Sequence, residues 1–266
     1  MSARTLFVEG IAFWAPGLPG WDRARAAFRG EGAPVEPPSP RPAPELLAPT
    51  QRRRAPDTVV LALEVAARAV RQAGLEAADM PSVFVSAHGD LVINDSMCKT
   101  LAEAPLLVSP TKFHNSVHNA AAGYWTMATN CMQASTALTA FESSFAAGLL
   151  EAATQCACDE RAVLLVGYDI EARGALRSVA SSRGLLATAL VLAPVRSARS
   201  VAALNWSLRH GPEAACVLRS DAARALADNA MLDAVPLLEA LASSQPESLL
   251  MPLSAMLSLN IEIGPL

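Results

Sequence analysis

Charge is scarce in this sequence. Asp, Glu, Lys and Arg make up 17% of its 266 residues, whereas apolar residues reach 52%. A chain so poor in charge has little solvated surface for its length. Its apolar side chains must fill a large core, cover a broad face buried against another protein, or do both. Aromatic residues are also few, at 5%, and alanine and leucine supply much of the apolar content. There is no basic excess: the net charge is −4, which excludes an ordinary nucleic-acid binder. The one basic cluster, Arg52-Arg53-Arg54, reads as a solvated turn or as a pairing site for acidic residues on a partner.

Long hydrophobic runs are missing too. No stretch reaches the roughly 18 apolar residues that a membrane span needs. Glu9 and Gly10 interrupt the N-terminal run too early for a signal peptide, so that run reads as a strand and the expected location is cytoplasmic. The five cysteines (Cys98, Cys131, Cys156, Cys158 and Cys216) are odd in number and scattered, with no pair of CxxC motifs. That argues against a structural zinc site and against a disulfide framework. Glycine-rich phosphate loops are absent as well. Neither a metal nor an organic cofactor is expected.

What is present alternates between strand and helix patterns, which predicts an α/β fold with a sheet covered on both faces. Strands are expected over residues 5–14, 82–87, 162–167, 185–192, 201–208 and 256–263, with a tight turn near Pro194 joining the fourth and fifth. A proline-rich segment from Pro34 to Pro49 is expected to run extended over the surface. Asp57 should cap a helix over 58–72 that ends at Gly74, and residues 96–104 should form another. Two long small-residue helices are expected over 113–130 and 137–156, and a further helix over 221–242 with a break at Pro236.

The most informative residues are Phe113-His114-Asn115-Ser116-Val117-His118-Asn119-Ala120-Ala121-Ala122-Gly123-Tyr124-Trp125, followed by Ala134-Ser135-Thr136-Ala137-Leu138-Thr139-Ala140-Phe141. In these the chain resembles the N-terminal half of the β-ketoacyl synthases, the thiolase-like condensing enzymes. Within that family it is most similar to the short chain length factor subunits that accompany ketosynthases of aryl polyene and type II polyketide pathways. The resemblance implies a single thiolase-like domain over 1–266, with 5–195 matching the N-terminal ketosynthase half and 196–266 a shortened second half.

It also implies the chemistry to look for. A condensing enzyme carries a cysteine at the start of a buried helix, where exposed amides favour its thiolate. It carries two histidines from its second half, and a backbone oxyanion hole. Here Ala134 falls in the cysteine slot, or Gln133 with a one-residue slip, and neither can carry an acyl group. After His118 the only histidine is His210, and His210-Gly211-Pro212 comes too soon to match the family motif. The implied role is therefore a non-catalytic subunit that pairs with a full-length ketosynthase as a heterodimer and bounds its acyl tunnel. An acyl carrier protein would dock mainly on the partner, with Arg52, Arg53 and Arg54 assisting. Phe113, His114, Trp125, Met127, Gln133, Ala134 and Ser135 are the candidates to line the tunnel or the interface; Tyr124 belongs with them.

Other readings of the same residues stand beside this one. His114 and His118 are four apart on an expected helix, as in zinc-binding helices, but Asn115 replaces the glutamate of a metalloprotease and no third ligand stands nearby. An acyltransferase or hydrolase could use Ser135 or Cys131. Against that, Ser135 lacks the Gly-x-Ser-x-Gly elbow, and Cys131 precedes the turn. A purely structural scaffold subunit is the remaining alternative.

Overall fold

A computed structural model describes residues 4–180, 182–211, 217–264 and 266. Of the residues singled out above, Pro212 and Cys216 lie outside that set. In chain order the elements are β1 (Arg4–Trp14), α1 (Trp21–Phe28), α2 (Pro49–Arg54), α3 (Asp57–Ala73), β2 (Ser82–Val85), α4 (Leu91–Glu103), α5 (Pro110–Asn115), α6 (Ala120–Thr129), β3 (Ser135–Leu138), α7 (Ser144–Asp159), β4 (Val163–Asp169), β5 (Leu186–Ala193), β6 (Ala202–His210), α8 (Asp221–Arg224), α9 (Val235–Ser243), β7 (Glu247–Ser254) and β8 (Leu257–Gly264). The proline-rich stretch between α1 and α2 carries neither helix nor strand, as its missing amide donors require.

One eight-stranded sheet, in the order β3-β2-β4-β5-β1-β6-β8-β7, organises the chain. β3, β2 and β4 are parallel, and every pairing from β4 to β7 is antiparallel. The parallel part is the βαβ part, because parallel neighbours need a crossover helix. β4 and β5 are buried along their whole length. That suits their unbroken apolar runs, which need cover on both faces.

The sheet separates two cores. On one side α3 and α6 pack Val60, Leu63 and Trp125 against Phe84, Leu164 and Val166. On the other, α1, α7 and α9 pack Phe28, Phe145, Leu149 and Leu238 against Phe13, Leu165 and Leu190. Two close approaches depend on glycine. Gly10 sits at a register shift of β1, where a Cβ would strike the carbonyl of Ala69 on α3, and a Cβ at Gly148 of α7 would strike Val85 of β2. Overpacking of this kind costs about 1–3 kcal/mol. Gly10→Ala and Gly148→Ala should therefore each lower the urea midpoint with the slope unchanged.

The structure departs from the sequence reading in four places. The helix expected over 113–130 is two helices, α5 and α6, separated at Ser116–Asn119. The helix expected over 137–156 is an edge strand, β3, then a turn, then α7. β5 and β6 are not a hairpin through Pro194, because β1 lies between them in the sheet. Pro236 does not break a helix: it stands in the first turn of α9, where its missing amide is harmless. Two smaller corrections follow. Asp57 is the first residue of α3 rather than its side-chain cap, and β7, which contains Pro252, was not anticipated.

Candidate functional site

The carboxyl ends of the parallel strands converge on one place, the usual position for a site in such a sheet. β2 runs into Ser86-Ala87-His88-Gly89. Asp169, the last residue of β4, binds this loop: its carboxylate accepts from Ser86 Oγ at 2.8 Å, from the Ala87 amide at 2.8 Å and from the His88 amide at 3.3 Å. Ser86 Oγ in turn accepts from the Gly89 amide, and the Ser86 carbonyl meets the His118 ring nitrogen at 2.9 Å. Asp90 closes the loop, accepting from the Ile93 amide to cap α4 and from Thr58 Oγ1 on α3. Burial pushes Asp169 up to about 7, against the pull of its hydrogen bonds. Burial also lowers His88.

β3 runs into a turn over Thr139–Ser143. Thr139 Oγ1 donates to the Ala87 carbonyl at 3.0 Å, tying this turn to the β2 loop. Ser144, the first residue of α7, pins the turn from both sides: its Oγ accepts from the Ala140 amide and donates to the Phe141 carbonyl. Phe141 has φ 54°, a left-handed backbone that a bulky residue rarely adopts. Its ring meets the His88 ring edge-on, with centroids 6.0 Å apart. From below, Asp233 Oδ2 accepts from the Phe145 and Ala146 amides at the start of α7, at 2.7 and 3.1 Å. Burial pushes Asp233 up to about 7, and the neighbouring charge of Asp169 adds to this. His88, Phe141 and Asp233 border a cavity of about 450 Å³.

The resemblance places a nucleophile just before the buried helix. That turn is Phe141–Ser143, so it holds no thiol. Ala134 and Gln133 stand at the other end of β3: the Ala134 carbonyl accepts from the Ser82 amide, and Gln133 Oε1 accepts from Arg161 at 2.9 Å. The sequence reading merged β3 with α7 and so started the helix a strand too early. Ser135 lies on the edge strand, paired with Ser82 Oγ at 3.0 Å, and is not a helix cap. Cys131 is buried and donates to the Met80 carbonyl at 3.3 Å. His114 lies in α5 and His118 in the break between α5 and α6, with the His114 ring against Tyr124 and His118 on Ser86. Among the described residues no group of three or more His, Cys, Asp or Glu is placed to hold a metal.

A second feature adjoins the first. Among the described residues β3 ends the sheet and pairs only with β2, which leaves its outer edge open. α4, the 3-10 turn Pro105–Leu107, α5, α6 and the loop between α6 and β3 expose large apolar side chains. Leu106 is 98% exposed and Met132 94%, with Leu101, Leu107, Phe113, Val117 and Met127 exposed as well. α4 is a 13-residue helix of which only Leu91 is buried. A helix gains most of its stability from packing an apolar face, and α4 packs only its first turns, through Leu91 and Val92. Phe113, His114, Ala134 and Ser135 are exposed in this region, and Gln133 is half-buried beside them. Trp125 is not at the surface; it is fully buried against Phe84, with ring centroids 6.5 Å apart. Arg52 of α2 turns back onto the Ala43 and Leu47 carbonyls, while Arg53 and Arg54 are exposed. No helix among the described residues is long and apolar enough to cross a membrane.

A family profile described as "Beta-ketoacyl synthase, N-terminal domain" matches residues 21–252. No curated protein matches the chain. Among solved structures, the chain is similar to one of a ketosynthase in complex with its chain length factor from Xenorhabdus doucetiae, at 22% identity and TM-score 0.74, covering 97% of this chain and 99% of that one. It is also similar to a structure of a type II polyketide synthase acyl-carrier protein in complex with its ketosynthase bound to the hexaketide, at 9% identity and TM-score 0.78, with both chains covered in full. A third is the ishigamide ketosynthase/chain length factor, at 13% identity and TM-score 0.72, covering 97% of this chain and 99% of that one. At these identities the likeness is one of fold: the α/β arrangement is thiolase-like, built on one sheet and short beside a full ketosynthase.

Proposed function

The chain belongs to the β-ketoacyl synthase N-terminal domain family, and from that premise we propose that it is the chain length factor of a ketosynthase pair, without condensing chemistry of its own. The observation that carries this reading is the open edge of β3 set among the exposed apolar side chains of α4, α5 and α6. A monomer rarely exposes a contiguous apolar area of this kind, and an unpaired strand edge beside it invites pairing. A heterodimer with a full-length ketosynthase would cover both. The turn before α7 holds Phe141, Glu142 and Ser143 where a condensing enzyme needs a thiolate, so the acyl group would stay on the partner. Phe113, His114, Met127, Gln133, Ala134 and Ser135 would bound the acyl tunnel from this side during aryl polyene or polyketide elongation. An acyl carrier protein, being acidic, would dock mainly on the partner, with Arg53 and Arg54 at hand.

The test is native mass after co-expression with the ketosynthase of the same pathway, beside each chain alone. A one-to-one complex is expected, together with aggregation of this chain by itself. A stable homodimer that ignores the ketosynthase would remove the reading, and so would acyl-thioester turnover by the isolated chain that is lost on Ser135→Ala or Cys131→Ala.

A further inference from the structure

Trp125 has no part in the partner-subunit reading, yet one of its atoms is unaccounted for. The side chain is fully buried in the core on the α3 side of the sheet, beside Phe84. Its Nε1 is buried as well, and it has no hydrogen-bond partner among the described residues. An indole N–H can only donate, and sealing such a donor away from an acceptor is destabilising. Buried tryptophans usually find a partner for that reason. A phenylalanine would bring an aromatic ring to this core without that cost.

Trp125 also borders a cavity of about 660 Å³, a size that suits a small molecule. The cavity lies between the second half of α3, residues 75–77 beyond it, and Ala43, Glu45 and Leu46 of the proline-rich stretch. Its apolar walls, Leu46, Val70 and Leu75, belong to the core on the α3 side, whereas Phe145 and Ala146 behind the Phe141 turn belong to the core across the sheet. Five charged side chains border the cavity, and four of them are matched. Arg68 binds Glu64 at 2.6 Å and Arg71 binds Glu45 at 3.3 Å. Glu76 forms no ion pair among the described residues, so the cavity offers no cation that is not already committed. An ionised carboxylate would lose its water here for one neutral donor, with Glu76 at the rim. A neutral acceptor would satisfy the indole without that loss.

We propose that this cavity is a separate ligand site, for a small uncharged molecule that carries a carbonyl or ring-nitrogen acceptor on an apolar ring, and that the Trp125 indole N–H is the donor that recognises the acceptor. Trp125 is sealed at the floor, so the ligand reaches it by displacing Leu46. That side chain is half-buried and sits in a stretch with neither helix nor strand to hold it. The site does not depend on the partner-subunit reading.

The experiment follows the indole N–H signals of the four tryptophans by nitrogen-15 NMR while benzamide is titrated in. The full chain is used with Leu106→Asp and Met132→Asp, so that its exposed apolar side chains do not drive aggregation, and Trp125 is assigned by triple-resonance spectra. Benzamide should move the Trp125 signal downfield and saturably, as a new hydrogen bond does, and leave the other three in place. Ethylbenzene has the ring without the acceptor, and benzoate has the acceptor with a charge; each should bind about tenfold more weakly, the worth of one hydrogen bond. Trp125→Phe should weaken benzamide about tenfold, read from the ligand by saturation transfer, and bind ethylbenzene as the parent does. A merely structural role for Trp125 would not separate those two probes. Leu46→Ala should tighten benzamide several-fold. Because the probe contrast and the Leu46 variant are read on the native indole, the test holds even where Trp125→Phe does not fold. A Trp125 signal that stays in place up to the solubility limit of benzamide would overturn the site, and equal binding of benzamide and ethylbenzene would overturn the role of the indole. A failed heterodimer beside a shifted Trp125 signal would sink the partner reading and leave this site standing; a sound heterodimer without the shift would do the reverse.

Discussion

Leu106→Asp combined with Met132→Asp should cost the ketosynthase complex about a thousandfold in affinity, on the order of 4 kcal/mol. These side chains are 98% and 94% exposed in the isolated chain, so the folded monomer does not depend on them. Surface changes of this kind usually move stability by about 0.5 kcal/mol or less. In the complex they would lie at the centre of an apolar interface, where truncation of an anchor costs about 2 kcal/mol or more and a buried unpaired charge adds to that. The informative comparison is with Val195→Asp. Val195 is also exposed, but it follows β5, away from the β3 edge. Surface plasmon resonance against immobilised ketosynthase should separate the two variants, while their melting temperatures stay within a degree or two of the parent. Equal binding by both would mean that the partner docks elsewhere.

Stability should fall as pH rises from about 4 to 8. Asp169 and Asp233 are each raised from 3.8 to about 7, with burial the leading cause. In the unfolded chain both ionise near pH 4, whereas in the folded chain they keep their protons up to about 7. Between those values the folded state holds more protons, so each step up in pH favours unfolding. The stability they contribute is complete below the unfolded value and is lost as pH passes the folded one. One pKa unit is worth about 1.4 kcal/mol, so a rise of about three units corresponds to on the order of 4 kcal/mol for each group. Because the charge of Asp169 bears on Asp233, the two titrate as a pair. His88 acts in the other direction: burial lowers it from 6.5, so its contribution is present above that value and lost as pH falls. Asp233→Asn isolates the carboxyl effect. The amide oxygen can still accept from the Phe145 and Ala146 amides, but nothing ionises. Urea unfolding at pH 5 and pH 8 should give a smaller difference for this variant than for the parent, and a gain over the parent at pH 8. Identical pH profiles would mean that Asp233 is already ionised in the folded chain at pH 5.

Much of the fold is readable from local pattern. β1, α3, β4 and β8 announce themselves by period and punctuation: alternation in β1, a 3.6-residue stripe closed by Gly74 in α3, an unbroken apolar run in β4. The failures share one cause. Ser135–Leu138 is four small or medium residues with no period of its own. It is a strand because Ser82–Val85 offers it a parallel edge. Read locally, it continues into the alanine-rich helix that follows. That merger set the expected helix start, and with it the expected slot, at Ala134. One signal was available: Ser143-Ser144 ahead of Phe145 and Leu149 is a cap-like start to a helix. β7 was hidden by Pro252, which an edge strand tolerates because one side of its backbone needs no partner.

The sequence by itself determined the class of the chain and its poverty of charge, because composition and residue identity do not depend on context. Only the tertiary structure decided which residues form the site. Asp169 and Asp233 are far apart in the chain from the residues they hold, and no local pattern marks an aspartate that will be buried at the end of a strand or beneath a helix start. Exposure is likewise a property of packing: Trp125 and Leu106 look equally apolar in the sequence, yet one is sealed in the core and the other faces solvent. That difference depends on which helices find the sheet, and α4 finds almost none of it.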